Sequence, residues 1–110
     1  MDIKKITEAM NVFVADMGWY AQDSEFQQTP RNIAISLNLE AAEILEHFQW
    51  SEQADPQALA EELADVALYL LQLAYLVNID LEKAIMDKLT VNYNRFGKDK
   101  RPQLAAQEGE

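Results

Sequence analysis

The 110-residue chain sets nine Lys and Arg against nineteen Asp and Glu, a formal charge of −10 with a pI near 4.4. Its length fits one domain, and 49% hydrophobic with 25% charged residues is a globular composition rather than a disordered one. The lack of cysteine excludes a disulfide scaffold, a thiol nucleophile, a zinc ribbon and an iron–sulfur centre.

Apolar positions at helical spacing (Ile3, Ile6, Met10, Phe13, Val14, Met17) predict a first helix over residues 2–17, stopped by Gly18. Residues 19–28 are polar and aromatic without a period and are expected to form a loop. Thr29-Pro30 supplies an N-cap and a proline at the first helical position, opening a second helix to about Gln49. Asp55-Pro56 repeats that signal for a third helix to about Val77. Asp80 caps a fourth, which ends at Gly97. The expected architecture is an all-α, four-helix bundle-like protomer over residues 1–97, followed by a polar tail over 98–110.

Acidity of this degree argues against a nucleic-acid or anionic-membrane surface, because phosphate binding draws on Lys and Arg. Met1-Asp2-Ile3-Lys4-Lys5 leads into an amphipathic pattern rather than an apolar signal segment. The longest apolar run, residues 63–77, contains Asp65 and is too short to span a bilayer. A soluble, cytoplasmic protein is expected. The same run is apolar nearly all round its helix, more than one small protomer can cover. A homodimer or homotetramer joined through the third helix is therefore expected.

The net charge sits in the middle of the chain. Residues 32–82 hold ten acids and no Lys or Arg, and the remaining nine acids balance nine bases. At 100° per residue, Glu40 and Glu43 lie one turn apart on the second helix, and Glu62 and Asp65 on the third. Both pairs interrupt the apolar stripe, and neither has a Lys or Arg three or four residues away. A lone Glu-x-x-Glu usually marks a solvated face. Two such pairs set into core-facing stripes on consecutive helices carry a repulsion that burial worsens. A hard divalent cation removes it: Mg2+ takes carboxylate oxygens and keeps other positions for water and phosphate, with Mn2+ as a substitute.

On the fourth helix Lys88, Asn92 and Arg95 project into the arc of Leu81, Ile85, Leu89 and Phe96. Such donors serve as salt-bridge partners, as snorkelling side chains, or as phosphate ligands. His47 beside the Glu40 face fits a packed or supporting histidine better than a metal ligand. Trp19 and Trp50 fit core edges, or alternatively stacking platforms for a base.

Glu40-Ala41-Ala42-Glu43 and, after eighteen residues, Glu62-Leu63-Ala64-Asp65 resemble the Glu-x-x-Glu … Glu-x-x-Asp signature of the all-α nucleoside triphosphate pyrophosphohydrolases, the MazG-like superfamily. Phe48-Gln49-Trp50, Pro30-Arg31-Asn32, Tyr69-Leu70 and Lys88 … Asn92 … Arg95-Phe96 look like its dCTP pyrophosphatase branch. The resemblance spans roughly residues 6 to 97. It implies Mg2+-dependent hydrolysis of a nucleoside triphosphate to the monophosphate and pyrophosphate, in the service of nucleotide-pool cleaning. It further implies that Glu40, Glu43, Glu62 and Asp65 hold the metal, and that Trp19 and Trp50 flank the base. Tyr69, Lys88, Asn92 and Arg95 fall at substrate-contacting or neighbouring positions, and the water-activating base is not assigned. Phe96 stands where the family often has Tyr, and the loop at 20–28 is longer than usual. Two other readings compete with this one. A di-iron bundle needs two Glu-x-x-His motifs, and this chain has one histidine. A non-catalytic helical nucleotide-binding or interaction module would not need all four carboxylates.

Overall fold

A computed structural model of the chain describes residues 1–97. The expected tail over 98–110, with Lys98, Lys100 and Arg101, lies outside the described residues. Four helices follow one another: α1 (Ile3–Asp16), α2 (Pro30–Glu46), α3 (Pro56–Leu76) and α4 (Leu81–Phe96), with no strand among the described residues. The protein is all-α. Its chain divides into two compact units, Met1–Ile79 and a second that begins at Asp80 and contains α4.

Each helix starts where a short polar side chain satisfies a backbone N–H that the helix itself leaves unpaired. Asp2 accepts from Lys5 N at 2.9 Å, Thr29 Oγ1 from Asn32 N at 3.1 Å, Asp55 Oδ1 from Gln57 N at 3.3 Å, and Asp80 Oδ1 from Lys83 N at 3.1 Å. Two helices end in the same left-handed motif. After α1, Gly18 adopts φ 78°, its N–H bonds Ala15 O, and the N–H of Trp19 reaches back to Val14 O. After α3, Asn78 adopts φ 58°, with Asn78 N on Tyr75 O and Ile79 N on Ala74 O. Both are Schellman caps, one using glycine and one asparagine. α2 ends three residues before the expected Gln49. The N–H groups of His47, Phe48 and Gln49 bond three residues back, to Ile44, Leu45 and Glu46, so the last turn tightens and leaves the α-helical path.

Within the first unit α2 lies along α3, and α1 also packs on α3. Met10 and Val14 from α1, Ile33 from α2 and Ala74 from α3 are the buried apolar side chains. This core is small. Leu63, Leu68, Leu70 and Tyr75 of α3 stay exposed on the single chain. No single helix among the described residues is long and apolar enough to cross a membrane.

Candidate active site

The α2–α3 seam carries the acidic groups. One carboxylate oxygen from each of Glu40, Glu62 and Asp65 lies within 4.8 Å of the others. His47, directly after α2, faces Glu62, in the first half of α3, while Glu40, about two turns earlier, faces Asp65 as well. That order is the one an antiparallel helix pair produces. Glu43 stands outside the tight trio but beside both Glu40 and Glu62.

The electrostatics are those of crowded like charges. Burial, then Glu43, then Asp65 and Glu62, push the Glu40 carboxyl up to about 7. Glu62 is raised first by Glu43 and then by burial, with His47 opposing. His47 Nε2 sits 3.9 Å from Glu62 Oε1, too far for a hydrogen bond. Glu40 Oε2 and Glu62 Oε2 are buried with no hydrogen-bond partner. Among the described residues no Lys or Arg forms an ion pair with any of the four carboxylates. Carboxylate oxygens from three side chains, two of them carrying an orphaned buried oxygen, are the donor set a hard divalent cation accepts. Two oxygens on opposite sides of Mg2+ at about 2.1 Å would stand about 4.2 Å apart. The residues therefore fit a metal such as Mg2+, after a small inward movement of the side chains.

Glu40 and Asp65 also form one wall of a pocket of about 450 Å3 in the first unit, a volume in the range of small-molecule sites. Its remaining lining is largely apolar and aromatic, including Phe13, Trp19, Phe26, Ile33 and Tyr69, with Gln28 and Gln72 as polar members. The Schellman cap at Gly18 sets Trp19 immediately after α1, where its ring meets Phe13 edge-on at 5.6 Å and 85°.

Of the residues singled out in the sequence, Glu40, Asp65, Trp19 and Tyr69 thus share one pocket, and Glu62 joins its acidic wall through the trio. Trp50 follows α2, is 90% exposed and is not part of the pocket lining. Lys88, Asn92 and Arg95 belong to α4 in the second unit, where Lys88 and Arg95 are exposed and Asn92 half-buried. The Arg95 guanidinium lies 4.8 Å from the centre of the Phe96 ring, so that ring engages its neighbour through its face. Sequence reasoning missed Phe26, Gln28 and Gln72. The signal for Gln72 was present, since it and Asp65 are the strongly polar residues of the apolar run at 63–77.

The MazG-like family model matches residues 35–110. The dCTP pyrophosphatase 1 proteins of Rattus norvegicus and Homo sapiens are 36% and 35% identical over 94 residues. Each alignment covers 76% of this chain and 52% of the relative, so the chain spans about half the length of these relatives. A crystal structure of a pyrophosphatase from Archaeoglobus fulgidus is similar at TM-score 0.68 and 29% identity, over 84% of this chain and 90% of that one.

Proposed function

The chain belongs to the MazG-like family, and we propose that it hydrolyses a deoxynucleoside triphosphate, dCTP-like by preference, to the monophosphate and pyrophosphate. The observation that carries this reading is the trio Glu40, Glu62 and Asp65, with two buried unpartnered oxygens, at the edge of an aromatic pocket. Such a wall suits a cation-bound polyphosphate, and such a pocket suits a base. The names of the relatives, dCTP pyrophosphatase 1, support the substrate class.

In this reading Glu40, Glu43, Glu62 and Asp65 hold Mg2+, with Mn2+ as a substitute. When bound, the cation supplies Lewis acidity and neutralises phosphate charge. Trp19 and Tyr69 pack against the base, and Trp50 is a second stacking surface. Lys88 and Arg95 balance the remaining charge of the triphosphate, and Asn92 contacts the substrate as a neutral amide. The oxygen of water bonds to the α-phosphorus, the bond from that phosphorus to the bridging oxygen breaks, and pyrophosphate departs. The water's proton passes to a carboxylate: one of the four, or the neighbouring Glu46 or Glu61. An enzyme of this kind removes unwanted triphosphates from the cytoplasmic nucleotide pool. The apolar side chains left exposed on α3 support a homodimer or homotetramer, since each large one in water forgoes about 1.5–3 kcal/mol.

The direct test is a panel of the four common dNTPs with Mg2+, following pyrophosphate and monophosphate together. Equimolar release of both from dCTP supports the proposal. Release of orthophosphate instead would overturn cleavage at the α-phosphorus, and silence on every dNTP with Mg2+ and Mn2+ would replace the proposal with the binding-module reading.

A further inference from the structure

Gln72 lies mid-way along the apolar α3 and is 3% exposed, yet the acidic wall makes no use of it. A buried amide is costly unless its hydrogen bonds are made, and here the way they are made fixes the direction in which the amide faces. The backbone carbonyl of Phe26 can only accept, so Gln28 turns Nε2 to it at 2.6 Å. That choice directs Gln28 Oε1 at Gln72, which must answer with its own Nε2 at 2.7 Å. The other N–H of that group has Tyr20 OH at 3.4 Å, and Tyr20 gives its proton to Asn11 Oδ1 at 2.5 Å. Burial raises the Tyr20 phenol above its usual range, so it keeps this proton.

Both N–H groups of Gln72 are thereby engaged, and an amide carries no more than two. What Gln72 can offer a ligand is its carbonyl oxygen. Gln28 keeps one N–H in reserve. Both side chains line the pocket that holds Trp19 and Tyr69.

The geometry points to Gln72, locked by Gln28 and Tyr20, as the residue that selects a nucleobase carrying an exocyclic amine beside an acceptor ring nitrogen, as cytosine does, over its keto counterpart. The inference rests on the reading of this pocket as the base site. Cytosine presents an N4 amine to an acceptor and N3 to a donor, matching the Gln72 oxygen and the spare Gln28 N–H. Uracil presents the reverse order, O4 and N3–H, and sets oxygen against oxygen. Gln72 cannot turn over to suit uracil without opposing its carbonyl to that of Gln28, which the Phe26 backbone holds in place.

The test compares dCTP with dUTP in turnover, and dCMP with dUMP in calorimetric binding. The wild-type chain should favour the amino base by about tenfold or more in kcat/KM, the scale of one buried hydrogen bond gained against one opposed. Gln72→Leu should lose most of that ratio on the dCTP side. Gln28→Leu, in the loop and outside the helix packing, should narrow it from the other side by raising activity on dUTP, because the freed amide can invert. A purely structural role would not improve the poorer substrate. A wild-type ratio near one, or a ratio unchanged in a folded Gln28→Leu protein, overturns the assignment. Preferential binding of dCMP without any turnover would defeat the hydrolase reading while leaving this one standing.

Discussion

Glu40 and Glu62, on adjoining helices, each bury one carboxylate oxygen that no donor reaches. Burial above all for Glu40, and the neighbouring Glu43 above all for Glu62, penalise the charged forms, and the two groups answer by holding protons more tightly. The first consequence is a pH dependence. Glu40 titrates at about 7 in the folded chain against an ordinary 4.5, so between these values the folded state binds more protons than the unfolded one. Stability of the cation-free protein therefore falls as pH rises through that window. Melting in EDTA should be higher at pH 5.5 than at pH 7.5, and Mg2+ should restore it at the higher pH. A melting temperature that rises across the window in EDTA would contradict the crowding.

Trp19 should contribute chiefly to substrate binding. Removing one aromatic wall costs about 1–3 kcal/mol of stacking, so Trp19→Ala should raise KM for dCTP by roughly 5- to 150-fold, with a smaller change in kcat. Steady-state kinetics separate the two, and an effect confined to kcat would place Trp19 elsewhere in the cycle.

Gly18 is the hinge of that placement. Its φ of 78° is left-handed, and a Cβ added there would meet nothing within 4 Å, so the penalty of Gly18→Ala is conformational alone. Chemical denaturation should give a loss of about 1–2 kcal/mol. KM should rise with it, because Trp19 takes its position from the same cap. Asn78 tolerates the corresponding conformation after α3, and Asn78→Gly should be neutral or slightly stabilising by the same measurement.

Much of this molecule could be read before any coordinates. Thr29-Pro30, Asp55-Pro56 and Asp80 mark helix starts because a capping oxygen and a prolyl ring act locally, within one turn. The carboxylate pairs were legible because a charge set into an apolar stripe breaks a 3.6-residue pattern. The premature end of α2 was not, since nothing in His47-Phe48-Gln49 forbids another helical turn. Gln28 and Phe26 escaped notice for another reason. Their roles depend on how an aperiodic loop folds back on α3, a contact 44 residues apart in the case of Gln28 and Gln72. Gln72 was visible as an anomaly, but its meaning resides in partners that spacing alone does not supply.

The claim beneath all of these expectations is that the four acids of α2 and α3 act together as a divalent-cation site. Mn2+ binding followed by water-proton relaxation, on the wild-type chain and on Glu62→Gln, tests it without reference to turnover. The variant keeps the shape of the side chain and removes one anionic ligand. Affinity should fall by at least about tenfold, while the cation-free protein melts no lower than wild type because a repulsive neighbour has gone. Equal Mn2+ affinity in the two folded proteins would contradict the account.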